Sequence, residues 1–285
     1  MSRISAETVR LYQEQAFRLP PEKRIKTRDQ AVDFVNERGF IYFWPITGVR
    51  FPSLWAAVAG DRPVADAHDD PGHITWEWKD SLLGGDCWYY GKILRKKATM
   101  ISFEVVPYFY ALSENYGSPE DDYLTLYEQG RMTLESKTVY EALLEKGPLD
   151  TVALRRVTHM SSPNSESRFN RAMTDLQADF KILPVGVTQS GAWHYAFLYD
   201  LVTRHYPEIP SHAHSIREAD ARVKLVYLFF HSLGIAQSND VFRLFGWRTS
   251  DTEKAVESLA QRGILCMDIQ LEGQAGEWIA LKELV

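Results

Sequence analysis

A chain of 285 residues that is 45% hydrophobic and 25% charged has an ordinary globular composition, with room for two or three domains, which excludes a disordered chain. Its formal net charge of -6 excludes a surface that is positive everywhere, so a nucleic-acid site would have to be a local basic patch. The two cysteines, Cys87 and Cys266, have no metal-ribbon or disulfide-framework spacing, and no signal peptide or membrane span is evident. We therefore expect a cytoplasmic protein that binds no membrane.

Two helices are predicted at the front of the chain. Ser5 is a suitable N-cap for a helix that ends before Pro20, and Thr27 is one for a helix that continues to Arg38. Gly39 would close the second helix, because glycine readily adopts the left-handed conformation that ends helices.

An aromatic stretch, residues 39–46, follows these helices. Alternation along a short strand would place Tyr42 and Trp44 on one face, with Ile41 and Phe43 on the other. The sequence leaves open whether the face of Tyr42 and Trp44 lines a pocket or belongs to the core.

Aromatic residues and a basic cluster occur together between residues 74 and 97. The aromatic residues of segment 74–90 are followed at once by Lys92, Arg95, Lys96 and Lys97. Because rings stack on bases and cations pair with phosphates, this segment is a candidate nucleic-acid surface. The alternative interpretation is a buried core beside a solvated run of charge.

One order of elements is predicted twice in the second half of the chain. The first copy has three helices within residues 137–180, then strands at 181–187 and 192–199. After a linker at residues 207–215, three more helices and two strands follow in the second copy, at 216–233, 238–245, 250–261, 264–271 and 277–281.

Three helices followed by a β-hairpin are typical of a winged helix-turn-helix. The sequence therefore predicts a mainly α fold with small β-hairpins, built of tandem winged helix-turn-helix units. The boundaries expected for three such units are residues 1–130, 131–207 and 208–285. Winged helices bind either DNA or proteins, so a protein partner stays possible beside duplex DNA.

The third helix of the first copy has a polar face that could enter a DNA groove. Asn164, Ser165, Arg168 and Arg171 are expected on its outward side, and Gln189 lies in the turn between the two strands. A solvated helix face is the alternative. The corresponding helix of the second copy is neutral to acidic, which favours a structural or interface role there.

Histidines and acids occur in two short groups that could ligate a metal. These are His68, Asp69, Asp70 and His73 in one loop, and the pair of histidines at 212 and 214. Neither group has the complete ligand set of a zinc or iron site. No Gly-rich phosphate loop and no dinucleotide-binding fingerprint occurs, so we expect neither a metal nor a cofactor.

The order of elements resembles the AlkZ/YcaQ family of DNA glycosylases, which remove alkylated bases and unhook interstrand crosslinks. The likeness is strongest over residues 135–281, in the Leu-Glu-Ser-Lys helix, the Lys-Gly-Pro-Leu turn, the Tyr-Asp-Leu-Val segment and the final wing. It extends to the front of the chain, at residues 6–16 and 39–46. The resemblance implies tandem winged helices that act on duplex DNA.

The catalytic motif of that family is replaced in this sequence. The family has Gln-x-Gln or Gln-x-Asp directly before Pro-Ile, and the matching positions here are Tyr42 and Trp44. Hydrolysis of an N-glycosidic bond needs a carboxylate or amide to hold the water and stabilise the cationic sugar. The resemblance thus implies a DNA-binding protein that lacks the family mechanism, or a DNA glycosylase in which Glu77 or Glu104 supplies a relocated carboxylate.

Overall fold

The computed structural model describes residues 2–191 and 194–285. Within these residues helices predominate and the strands form small sheets, so the prediction of a mainly α protein with small β-hairpins is confirmed. The chain divides into two compact units, Met1–Trp76 with Arg217–Val285 as the first unit and Glu77–Ile216 as the second unit. The division at residues 130 and 207 refers to winged-helix motifs and stays a prediction.

The helices and strands have the following bounds in chain order. The helices are α1 Ala6–Ala16, α2 Arg28–Arg38, α3 Leu54–Ala59, α4 Ile74–Ser81, α5 Val106–Tyr110, α6 Asp122–Glu128, α7 Leu134–Lys146, α8 Thr151–Val157, α9 Glu166–Ala178, α10 Val202–His205, α11 Glu208–Ala213, α12 Glu218–Leu233, α13 Ser238–Phe245 and α14 Thr249–Gln261. The strands are β1 Arg3–Ile4, β2 Phe40–Tyr42, β3 Tyr89–Lys92, β4 Ala98–Ile101, β5 Leu149–Asp150, β6 Ile182–Thr188, β7 Ala196–Leu201, β8 Ile235–Ala236, β9 Leu265–Leu271 and β10 Trp278–Leu281. No helix in the described part of the chain is long and apolar enough to cross a membrane.

Local capping sets the first two helices, as predicted. The Ser5 hydroxyl accepts a hydrogen bond from the Thr8 amide at 3.0 Å, and the Thr27 hydroxyl accepts one from the Gln30 amide at 3.3 Å. Gly39 closes α2 with φ 78°, a conformation that side chains disfavour. Sequence-local chemistry is thus sufficient to place both helices.

The same order of elements does occur twice. In the second unit α7, β5, α8 and α9 precede β6 and β7, which form a sheet in the order β5-β7-β6. In the first unit α12, β8, α13 and α14 precede β9 and β10, and the sheet order is β1-β9-β10-β8. The strand predicted at 192–199 corresponds to β7, which begins at Ala196; residues 192 and 193 lie outside the described part.

Helix α9 is oriented by its apolar stripe. Phe169, Ala172, Met173 and Leu176 are all at most 5% exposed, as the 3.6-residue period predicts. Phe169, Met173 and Leu176 pack into a core that includes Val139 and other buried side chains of α7. The polar face of α9 is therefore left on the surface of the second unit.

A buried polar contact joins α1, α2 and α12 in the first unit. The Tyr12 hydroxyl and the Arg38 guanidinium both donate to the backbone carbonyl of His231, at 2.9 and 2.8 Å. The His231 ring stacks on Tyr227 with centroids 5.7 Å apart, and its Nδ1 atom is buried without a hydrogen-bond partner among the described residues. Burial, and then the charge of Arg38, lowers the pKa of His231 below its usual value of 6.5.

We expect acidification to destabilise the first unit through His231. Because the pKa is lower in the folded state, the unfolded state binds more protons between the folded pKa and 6.5. The free energy of unfolding should therefore fall as the pH decreases below 6.5, and should stop falling below the folded pKa. Urea denaturation on both sides of this window measures the effect. His231→Gln should flatten the dependence, whereas His68→Gln in an exposed loop should leave it unchanged; equal slopes in all three proteins would contradict the assignment.

Candidate functional site

Tyr42 belongs to the core of the first unit. Its side chain and that of Ile41 are both 0% exposed, so both faces of β2 are buried. The Tyr42 amide donates to the Pro52 carbonyl at 3.0 Å, and its ring meets Phe51 edge-on at 6.0 Å. The expectation that Tyr42 and Trp44 share a strand face is wrong, because the strand ends at Tyr42 and the chain bends before Trp44.

Trp44 lies in a different environment from Tyr42. It is half-buried and stacks on Phe43 and on Trp76, with ring centroids 5.6 and 5.7 Å away. Trp76 is 40% exposed, so the Trp44/Trp76 pair reaches the surface of the first unit. The buried Nε1 of Trp44 has no hydrogen-bond partner among the described residues. An indole donates but cannot accept a hydrogen bond, so this pair can stack on a planar group but cannot activate water.

Glu77 and Glu104 are exposed residues of the second unit, whereas Tyr42 and Trp44 belong to the first. Within residues 2–191 and 194–285 neither glutamate side chain forms a hydrogen bond or an ion pair. Nothing in their surroundings distinguishes either of them from an ordinary surface carboxylate.

The basic cluster of residues 92–97 forms a tight turn between β3 and β4. Lys92 pairs with Ala98, and Thr99 fixes the turn: its hydroxyl accepts from the Leu94 amide at 3.1 Å and donates to the Lys97 carbonyl at 2.8 Å. Leu94 is buried and anchors the turn. The cations of the turn are consequently held on its outer side.

Arg95 and Lys96 adopt the left-handed conformation in this turn, with φ values of 50° and 58°. For residues with a Cβ this conformation costs roughly 1–2 kcal/mol each. Together with Lys97 they form three consecutive exposed cations. Strain of this kind is retained where the surrounding structure fixes it, often next to a functional surface.

The polar face of α9 carries most of the residues that the sequence assigned to it. Asn164, Arg168 and Arg171 are exposed, and so is Gln189 in the connection between β6 and β7. Ser165 is only 5% exposed and its hydroxyl donates to the Ser162 carbonyl at 2.6 Å. The interpretation of Ser165 as an outward residue is therefore wrong, because its side chain closes the 3-10 turn that precedes α9.

The turn and α9 adjoin within the second unit. The Lys92 ammonium lies 3.5 Å from the Thr174 hydroxyl, and the Lys96 ammonium lies 2.5 Å from Asp175 Oδ1. Cations that are about eighty residues apart in sequence thus share one face of this unit. We call the face the basic surface; its residues are Lys92, Arg95, Lys96, Lys97, Arg168 and Arg171.

Among the described residues, two carboxylates form ion pairs with cations of the basic surface. Asp175 contacts Lys96 on one side and the Arg171 Nε, at 3.7 Å, on the other. Glu135 pairs with Arg168 at 3.0 Å. The sequence assigned a role to neither acid, although helical spacing places Asp175 on the polar face of α9. The spacing of Arg171 and Asp175, four residues apart on a helix, indicated one contact, but the contact with Lys96 has no local signature.

A buried lysine near the β6–β7 hairpin was also missed. Lys79 on α4 is 3% exposed, lies 2.5 Å from Asp80 Oδ1 and donates to the Tyr195 hydroxyl at 3.1 Å. Its ammonium is 4.5 Å from the Phe197 ring centroid and 5.3 Å from that of Tyr90. Burial lowers the pKa of the Lys79 ammonium, and Asp80 opposes this shift.

We expect Lys79→Ala to lower the free energy of unfolding by about 2–4 kcal/mol, since it leaves the partly buried Asp80 without its cation and opens a space between the rings. Urea denaturation measures the change. Lys26→Ala, at an exposed position, is the matched control and should change stability by about 0.5 kcal/mol or less. A stability for Lys79→Ala within error of the wild type would show that the cluster is not a structural contact.

Side chains of the histidine loop are engaged in local contacts. A ring nitrogen of His73 lies 2.9 Å from the Ala65 carbonyl, and Asp70 pairs with Arg62 at 2.6 Å. Arg62 thereby lowers the pKa of Asp70 below its usual range. Among the described residues no group of three or more potential metal ligands occurs.

Comparison with known proteins gives one family and one solved fold. The sequence profile described as AlkZ-related matches residues 25–246. The fold is similar to that of the Streptomyces sahachiroi DNA glycosylase AlkZ, with a TM-score of 0.59 over 99% of this chain and 71% of that chain, at 13% sequence identity. None of the curated proteins matches the sequence.

Proposed function

The chain belongs to the AlkZ-related family, and we propose that it binds duplex DNA through the basic surface of its second unit. The observation that carries this proposal is the meeting of two sets of cations, from the β3–β4 turn and from α9, at the contacts of Lys92 with Thr174 and of Lys96 with Asp175. In a protein of net charge -6, six basic side chains on one face are a local exception to the overall charge.

The repeated order of elements supports the same proposal. We interpret α7 to α9 with β6 and β7 as a winged helix-turn-helix whose third helix is α9, and α12 to α14 with β9 and β10 as a second one. The solved structure similar to this fold is a DNA glycosylase by name. The thiols of Cys87 and Cys266 form no disulfide among the described residues, which favours the reducing cytoplasm as the compartment of this protein.

The proposed activity does not include hydrolysis by the family motif. Tyr42 is buried and Trp44 has no hydrogen-bond acceptor, so neither side chain can position a water against a cationic sugar. The Trp44/Trp76 pair, in contrast, offers an aromatic surface on which an unstacked base of distorted DNA could stack.

Fluorescence anisotropy of a labelled duplex tests the binding proposal. We expect saturable binding at about 50 mM salt and a loss of roughly ten-fold or more at about 200 mM, because phosphate contacts release counterions. The absence of binding at the lower salt concentration would refute the proposal. An acidic polypeptide of the same charge serves as the competitor that distinguishes DNA binding from general attraction of anions.

Incubation with duplexes that contain alkylated bases tests for base release. We expect none, since the residues at positions 42 and 44 cannot hold the attacking water. Release that persists in Tyr42→Phe and Trp44→Phe but is lost in Glu77→Gln or Glu104→Gln would instead support a relocated catalytic carboxylate.

A further inference from the structure

The cations of the basic surface fall into two groups that differ in their partners. On α9, Arg171 and Arg168 are paired with Asp175 and Glu135, and Asp175 also holds Lys96 of the turn. Across the described residues, Arg95, Lys97 and Lys92 have no carboxylate partner, and the Lys92 ammonium lies instead 3.5 Å from the Thr174 hydroxyl. The two groups are adjacent, so an anion that approaches this face meets both.

Asp175 is placed to neutralise two cations at once. One of its oxygens lies 2.5 Å from the Lys96 ammonium and the other 3.7 Å from Arg171 Nε. The side chain of Asp175 is 20% exposed, whereas that of Arg171 is 78% exposed. A phosphate that paired with Lys96 or Arg171 would therefore approach a fixed carboxylate and would have to displace it.

We propose that Arg95 and Lys97 of the β3–β4 turn supply the main phosphate contacts, and that Asp175 restrains Lys96 and Arg171 and so limits the affinity for DNA. This inference rests on the proposed function, and it names the structural element that makes the main contacts with DNA. It assigns the leading contact to the turn, although α9 is the helix that the element order alone would favour.

The physical reason is competition between two anions for the same cations. An intramolecular carboxylate is present at a high effective concentration, so paired cations gain little from a phosphate, whereas unpaired cations gain the full contact and release their counterions. A restrained surface binds undistorted duplex weakly, which favours sites where other contacts add to the affinity.

The inference is tested with substitutions that remove a charge. Fluorescence anisotropy measures the affinity of each variant for one duplex of mixed sequence. Arg95→Gln and Lys97→Gln should each weaken binding about five- to ten-fold and reduce the slope of log K against log salt by about one. Arg171→Gln, which removes the same charge from a paired position, should weaken binding less than about two-fold. Asp175→Asn should strengthen binding about five-fold or more and steepen the salt slope, because it releases Lys96 and Arg171.

Glu120→Gln, in the turn before α6, is the control for loss of one negative charge in the same unit, and it should bind like the wild type. If Asp175→Asn binds DNA no more tightly than this control, or more weakly, Asp175 positions Arg171 for binding and the inference is wrong. If Asp175→Asn does not fold, the test is the comparison of Arg95→Gln with Arg171→Gln. Equal losses of affinity for duplex DNA in these two variants would overturn the inference. If the wild type itself binds no duplex at low salt, the proposed function fails first and this inference fails with it.

Discussion

The double variant Arg95→Glu/Lys97→Glu is expected to lose affinity for duplex DNA by on the order of a hundred-fold at low salt. Both side chains are exposed on a turn whose backbone is fixed by Thr99, so a charge reversal there changes the surface potential without disturbing the core. The loss combines two phosphate contacts with two new repulsions, and the salt slope should decrease by about two. Anisotropy titrations at two salt concentrations measure both quantities.

Lys23→Glu/Lys26→Glu is the matched control for this variant. It changes the net charge by the same amount at two exposed positions of the first unit. Long-range attraction alone would weaken both variants equally, whereas a contact at the turn weakens only the first. Equal losses would therefore contradict a binding site on the basic surface.

Tyr42→Ala should lower the free energy of unfolding by about 3–5 kcal/mol. The Tyr42 side chain is fully buried against Phe51, and deletion of a large aromatic side chain leaves a cavity that a close-packed core cannot fill. Chemical denaturation followed by circular dichroism measures the change. Because the chain has two compact units, the transition that contains the first unit is the one expected to move.

Trp44→Ala is the control variant for Tyr42→Ala. Trp44 is half-buried and forms a pair with the exposed Trp76, so its removal should cost less than half as much stability. If the two substitutions lower the free energy of unfolding by the same amount, Tyr42 and Trp44 would share one environment, as the alternating pattern of residues 39–46 had indicated.

The helices that were predicted correctly from the sequence are those that form because of interactions between neighbouring residues. Caps at Ser5 and Thr27, and the glycine after α2, depend on residues within one helical turn. The apolar stripe of α9 follows the helical period, and α13 was predicted at its observed bounds of Ser238–Phe245. The mainly α fold with small hairpins follows from such signals.

The errors occurred where a local pattern competed with a long-range contact. Alternation in residues 39–46 indicated a strand through Trp44, but the Phe43 carbonyl accepts from the Trp55 amide at 3.1 Å where the chain bends. Ser165 was placed by helical spacing on the outer face, although its hydroxyl belongs to the turn before the helix. The periodicity of the sequence does not predict either contact.

The sequence by itself determined the helices with clear caps or periodicity, the repeat and the resemblance to a DNA glycosylase family, because capping, periodicity and order are properties of neighbouring residues. It did not indicate α4, and the linker predicted at residues 207–215 is wrong because that segment contains α11. The tertiary structure alone decided which cations share a face, that Asp175 holds two of them, and that Tyr42 is core. Contacts between residues about eighty positions apart depend on how the elements pack, and charge-pair energies depend on distance and burial, so no pattern along the chain encodes them.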